Sequence, residues 1–142
     1  MKKEAVSVLD EKDEEFAQTL MNIGLKRNVA RTLIYLANAG ETVSRDIELG
    51  ADLRQPEVSI AMRELREEGW IEEREIKKEG KGRPLKCYKL AVPLKDIINY
   101  FEQKKQKEAE QDLKNIQRLR NLSKALEKAE KAEKEKIEKG EK

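Results

Sequence analysis

The chain has 142 residues, no histidine and a single cysteine, Cys87. An intrachain disulfide and the usual zinc sets of Cys and His are therefore excluded, and no cofactor or metal is expected. Catalysis is not expected either. There is no histidine to serve as a base, no cysteine-based nucleophile constellation, and no glycine-rich phosphate loop ahead of a helix. Long apolar runs are missing too: none approaches the roughly 20 residues needed to cross a bilayer. Met1 to Asp10 has no apolar stretch of the kind a secretory leader carries. The chain is expected to be soluble and cytoplasmic, with Cys87 a small buried strand residue in a reducing compartment.

Charged residues make up 42% of the chain and apolar ones 37%, so a core requires the apolar side chains to be concentrated locally. They are, between Leu25 and Ile98. The 31 cations and 29 acids leave a net charge of +2, too small to attract a polyanion globally. The distribution is uneven, however. Residues 77 to 89 carry six cations (Lys77, Lys78, Lys81, Arg83, Lys86, Lys89) against Glu79, whereas residues 1 to 25 carry six acids against three lysines. The richness in Glu and Lys resembles the usage of heat-adapted proteins.

The apolar spacing predicts a leading helix over 11–23, with Phe16, Leu20 and Ile23 on one face and Gly24 as its stop. A core helix follows from Lys26 to Ala39, carrying Val29, Leu33, Ile34, Leu36 and Ala37, and Gly40 ends it. Glu41 to Val43 fits a short strand. Ser44 then fits the N-cap of a helix over 45–49, Gly50 to Leu53 a turn, and 55–68 a second helix with Pro56 in its first turn. On this helix Val58, Ala61, Met62 and Leu65 form the core stripe, and Pro56, Ser59, Ile60 and Arg63 lie opposite. Ile60 there is either a stray exposed hydrophobe or a contact for thymine methyl groups.

Trp70 to Ile76 and Leu85 to Leu90 read as strands joined by the basic tip Gly80-Lys81-Gly82-Arg83-Pro84, where the glycines permit a tight turn. After Pro93 the chain has neither glycine nor proline from Leu94 to Lys139, which predicts one long helix. Its apolar residues form two patches. Leu94, Ile97, Ile98 and Phe101 make the first, and Leu113, Ile116, Leu119, Leu122 and Leu126 the second, both read as dimerisation surface. The Glu/Lys/Ala repeats past Ala129 read as a low-complexity tail, helical at best and frayed.

The order of these elements, with Gln55-Pro56-Glu57-Val58-Ser59 opening one helix and Gly80 to Tyr88 in the hairpin, resembles the winged helix-turn-helix transcriptional regulators common in archaea. TrmB-like, MarR-like and ArsR-like proteins are the groups in view, and the resemblance covers about Leu25 to Phe101. It implies a mainly α fold with a small β-hairpin wing, followed by a coiled-coil-like C-terminal helix. The divisions are a leading helix and arm (1–24), the DNA-binding domain (25–92), a dimerisation helix (93–128) and a charged tail (129–142). ArsR-like metal ligands and a TrmB-like sugar domain are both lacking, and no effector is indicated.

The resemblance implies a homodimer on double-stranded DNA, with the second helix of the motif in the major groove and the wing over the minor groove. Gln55 and Arg63 suit adenine and guanine edges, and Ser59 suits a base or a phosphate. Arg54 sits where Ser or Thr often caps, beside free helix N–H groups that would donate to a phosphate oxygen; alternatively it points into water. Arg45, Lys77, Lys78, Lys81 and Lys86 are assigned to phosphates and Arg83 to a narrow minor groove. Glu57 and Glu64 are expected to point away. A protein-interaction module of a transcription or chromatin complex is the alternative, since fold alone does not settle function.

Overall fold

A computed structural model describes residues 8–77, 82 and 84–139. Its elements are α1 (Glu11–Asn22), α2 (Arg27–Ala39), β1 (Thr42–Val43), α3 (Ser44–Ala51), α4 (Gln55–Glu67), β2 (Ile71–Ile76), β3 (Leu85–Leu90) and α5 (Leu94–Glu138). The strands form one antiparallel sheet in the order β1-β3-β2, with Glu73 opposite Tyr88 and Thr42 also opposite Tyr88. Helices α3 and α4 are the helix-turn-helix pair and β2–β3 is the wing, so the fold is a winged helix-turn-helix. No helix among the described residues is long and apolar enough to cross a membrane.

Two compact units divide the chain. One runs to Ile97 and the other begins at Ile98. In the first, Leu33, Ile34, Leu36, Ile47, Val58, Leu65 and Ile97 are almost wholly buried. Burying each such side chain contributes about 1.5–3 kcal/mol. Cys87 is buried as a free thiol on the middle strand. The core reaches further toward the N-terminus than the apolar density suggested, because Leu9, Ala17 and Leu20 are buried with it.

Helix α1 starts on a reciprocal cap. The Asp13 N–H donates to Asp10 Oδ1 at 2.8 Å, and the Asp10 N–H donates to Asp13 Oδ2 at 3.0 Å. The Asp10 N–H, and after it the Asn38 amide at 2.9 Å, hold the Asp13 carboxyl below its usual pKa. Helix α3 differs from expectation at both ends. Val43 is its N-cap and Ser44 its first helical residue, without a side-chain cap bond, and the helix runs on through Gly50 to Ala51. It does so because Ile47 and Ala51, one turn apart, are both sealed in the core. At the other end of the chain, α5 continues unbroken to Glu138 through the stretch read as frayed. Alternating Glu, Lys and Ala are strong helix formers with many i,i+4 ion-pair opportunities.

Arg31, midway along α2, is 8% exposed. Its Nε donates to the carbonyl of Ala51 at 2.6 Å, and its terminal nitrogen donates to both oxygens of Glu14 on α1, at 2.7 Å to Oε2. Close by in sequence, the Leu9 N–H donates to Gly50 O at 3.1 Å. Two carbonyls at the end of α3, which the helix itself leaves without partners, are thus capped from elsewhere in the fold. Arg31→Met should lower stability by about 2 kcal/mol, because it strands the buried Ala51 carbonyl. Chemical denaturation of the variant beside the wild type measures this, and an unchanged midpoint contradicts it.

Candidate nucleic-acid interface

The connection between α3 and α4 is short and sets the direction of α4. Asp52 closes α3 in the left-handed conformation (φ 56°, ψ 56°), and Leu53 follows, buried, with its N–H on Glu48 O at 2.9 Å. Asp is one of the few non-glycine residues that tolerate this region. Arg54 is extended (φ −88°, ψ 157°) and stands at the N-cap of α4. A guanidinium has no acceptor to offer the first turn. Instead, the Glu57 carboxylate accepts the Arg54 N–H at 2.9 Å, which is the returning half of a capping box.

Val58, Ala61, Met62 and Leu65 are buried, so the opposite side of α4 faces solvent. Arg54, Gln55, Pro56, Ser59, Ile60 and Arg63 are all exposed there, Ile60 at 42%. Glu57 is occupied with its own helix cap. Glu64 accepts from Lys26 Nζ at 2.8 Å, on the flank toward α2. Asn28 Nδ2 adds a bond to the Glu57 carbonyl at 3.1 Å, so α2 braces the first turns of α4. Glu57 and Glu64 are thus turned to structural work, and the first turns of the exposed face carry arginine, amide, hydroxyl and one isoleucine, with Glu67 exposed at the last turn.

Between α4 and the sheet lies a recess of about 310 Å³ lined by Ser44, Gln55, Val58, Ser59, Met62, Arg63, Arg66 and Tyr88. Sequence reasoning missed Arg66 as a member of this face. Gln55, Ser59, Arg63 and Arg66 recur at i, i+4, i+8 and i+11, a helical stripe that could have revealed it. It also missed Tyr88, which depends on strand register, and Glu73, whose Oε1 accepts from Arg66 at 2.9 Å while its Oε2 lies 3.8 Å from Lys86 Nζ.

Arg45 at the start of α3, and Lys77 and Lys86 in the wing, are exposed. Lys78, Lys81 and Arg83 lie outside the described residues. On the wing, Arg74 makes a bidentate pair with Glu41, at 2.5 and 2.7 Å, reaching past β3. Its guanidinium holds the Glu41 carboxyl below the usual carboxylate range.

In α5 the two apolar patches differ. Ile97 is 0% exposed and belongs to the core of its own compact unit, so it is not available to a second copy. Leu94 and Phe101 are half-buried and Ile98 is exposed. Leu113, Ile116, Leu119, Leu122 and Leu126 are all exposed, with Leu113 at 65% and Leu126 at 69%.

No protein-family model matches the chain, and no curated protein sequence does. Solved structures do. A protein described as a possible transcriptional regulator from Methanosarcina mazei Go1 superposes with a TM-score of 0.53 at 17% identity, over 78% of this chain and 98% of that one. A MarR family regulator from Neisseria meningitidis gives 0.43 at 20% identity, over 84% and 89%. MepR, a transcription regulator of the Staphylococcus aureus multidrug efflux pump MepA, gives 0.43 at 21%, over 84% and 90%. The likeness to the Methanosarcina structure is one of fold.

The left-handed residue at the motif's turn supplies a test of the local geometry. Asp52→Gly should stay within about 0.5 kcal/mol of wild type, whereas Asp52→Val should cost about 1–2 kcal/mol, because a β-branched side chain clashes there. Equal melting temperatures for the two variants would contradict the assigned backbone.

Proposed function

We propose that the chain is a sequence-specific, double-stranded DNA-binding transcriptional regulator that acts in the cytoplasm as a homodimer. The observation that supports this best is the solvent face of α4: Gln55, Ser59 and Arg63 are aligned and exposed, while Glu57 and Glu64 are engaged elsewhere. In this reading α4 enters the major groove. Gln55 and Arg63 read base edges, Ser59 contacts a base or phosphate, and Ile60 packs on thymine methyls. Arg54 holds a phosphate at the helix N-terminus. Arg45, Lys77 and Lys86, with Lys78 and Lys81, supply further phosphate contacts, and Arg83 enters the minor groove.

Neutralising about four to six phosphates per protomer predicts a steep salt dependence, with a log–log slope on the order of −8 for a dimer. Fluorescence anisotropy on a labelled duplex over a salt series measures it, and a slope near zero refutes the electrostatic part. Arg63→Ala should weaken binding to a preferred sequence by about 1–3 kcal/mol while changing random-duplex binding less.

Homodimerisation is assigned to the exposed stripe Leu113, Ile116, Leu119, Leu122 and Leu126, with Leu94, Ile98 and Phe101 as a second zone. A dimer would set two α4 helices about 34 Å apart, on successive major grooves of an inverted repeat. Replacing Leu113, Ile116 and Leu119 together by Glu should yield a monomer in analytical ultracentrifugation. Dimers that persist in this variant place the assembly elsewhere.

A further inference from the structure

The structure points to Glu73 as a specificity-determining residue, an acid built into the cationic surface to hold Arg66 and Lys86 back from indiscriminate contact with phosphate; we propose this on the basis of the DNA-binding reading above. Three observations lead to it. Arg66 lies on the same helical stripe as Gln55, Ser59 and Arg63 and lines the same recess. Its guanidinium is 2.9 Å from Glu73 Oε1, and the other oxygen of that carboxylate is 3.8 Å from Lys86. Glu73 also sits directly opposite Tyr88, itself part of the recess, so strand register fixes the carboxylate on the side of the wing that meets α4.

One carboxylate is thus shared by two cations at the junction of the α4 stripe and the wing. All three side chains are partly exposed, with 34% for Glu73, 52% for Arg66 and 54% for Lys86. An ion pair this wet is weak enough to be exchanged for another anion. A phosphate oxygen is the anion that a duplex seated against α4 brings. Whether the exchange is favourable then depends on what else is gained. On a cognate sequence, base contacts by Gln55, Ser59 and Arg63 seat the helix and carry Arg66 onto a phosphate. On a random sequence only Coulombic attraction is available, and Glu73 reduces it by one charge in the same place. Discrimination of this type comes from penalising the wrong partner.

The test compares wild type, Glu73→Gln and Glu75→Gln on two probes: a random-sequence duplex, and a duplex enriched from a random pool by the wild-type protein. Glu75 faces Lys86 across the strands and its substitution changes the net charge equally, yet it makes no ion pair among the described residues. Glu73→Gln should tighten random-duplex binding on the order of five-fold per protomer, the effect of removing one unit charge about 4 Å from a cation in water. It should also steepen the salt slope by about one per protomer. The enriched duplex should gain less, so the ratio of the two affinities falls. Unchanged random-duplex affinity in Glu73→Gln, or an equal rise in Glu75→Gln, overturns the proposal while leaving DNA binding intact. A wild-type protein that retains neither duplex at low salt is a different result, and it overturns the DNA-binding reading together with this one.

Discussion

The buried guanidinium of Arg31 is the constraint on which the geometry of the helix-turn-helix depends. Removing a guanidinium from water is costly unless its donors are met. Here they are met by Glu14 of α1 and by the Ala51 carbonyl at the end of α3. The same contact that compensates the charge therefore ties three helices at the residue just before the left-handed turn at Asp52. Leu9, whose N–H reaches the neighbouring Gly50 carbonyl, adds a second tie from the same arm. The leading segment is thus a support for the motif's turn, and it sets where α4 begins.

From that turn onward, the arrangement of charge is a matter of where the acids go. Glu57 closes the first turn of α4, Glu64 meets Lys26, Glu41 clasps Arg74, and Glu73 stands between Arg66 and Lys86. With a net charge of only +2, the chain has no global field to draw in a polyanion. What it has is a local pattern. Of these four acids, three are absorbed in a cap or a flanking pair, and Glu73 stands inside the cationic surface.

Much of the fold was legible in the residues because its signals are local. Gly24, Gly40 and Gly69, each with positive φ, follow α1, α2 and α4, and the core stripe Val58, Ala61, Met62 and Leu65 announces the face of α4 that is buried. The exposed face of α4 followed from the same periodicity. What stayed hidden depends on contacts between distant segments. Arg31 lies on a helix whose polar residues would ordinarily face water, and only the nearness of Glu14 and Ala51 explains its burial. The Arg66–Glu73–Lys86 group requires the β2–β3 register and the packing of α4 on β2, neither of which is written in the spacing of any one segment. Ile97 looked equivalent to Ile98 in sequence, yet one is sealed in the core and the other is exposed.

The exposed stripe on α5 poses the remaining physical problem. A helix of Glu, Lys, Gln and Ala needs no leucines to form, since propensity and i,i+4 pairs suffice to support it. Leu113, Ile116, Leu119, Leu122 and Leu126 are separated by three, three, three and four residues. A regular heptad seam alternates three and four, so the extra step of three shifts the stripe around the helix and locally overwinds any coiled coil built on it. Lys114, Arg118, Arg120 and Lys124 accompany the stripe without a single acid between 113 and 126, which makes close packing of two identical basic segments in register electrostatically unfavourable. Glu108, Glu110 and Asp112 lie immediately before it. In a pair of such helices, reversal about the centre of the stripe would keep the two basic segments opposite each other, whereas an axial offset would bring the acidic stretch of one copy toward the basic stretch of the other.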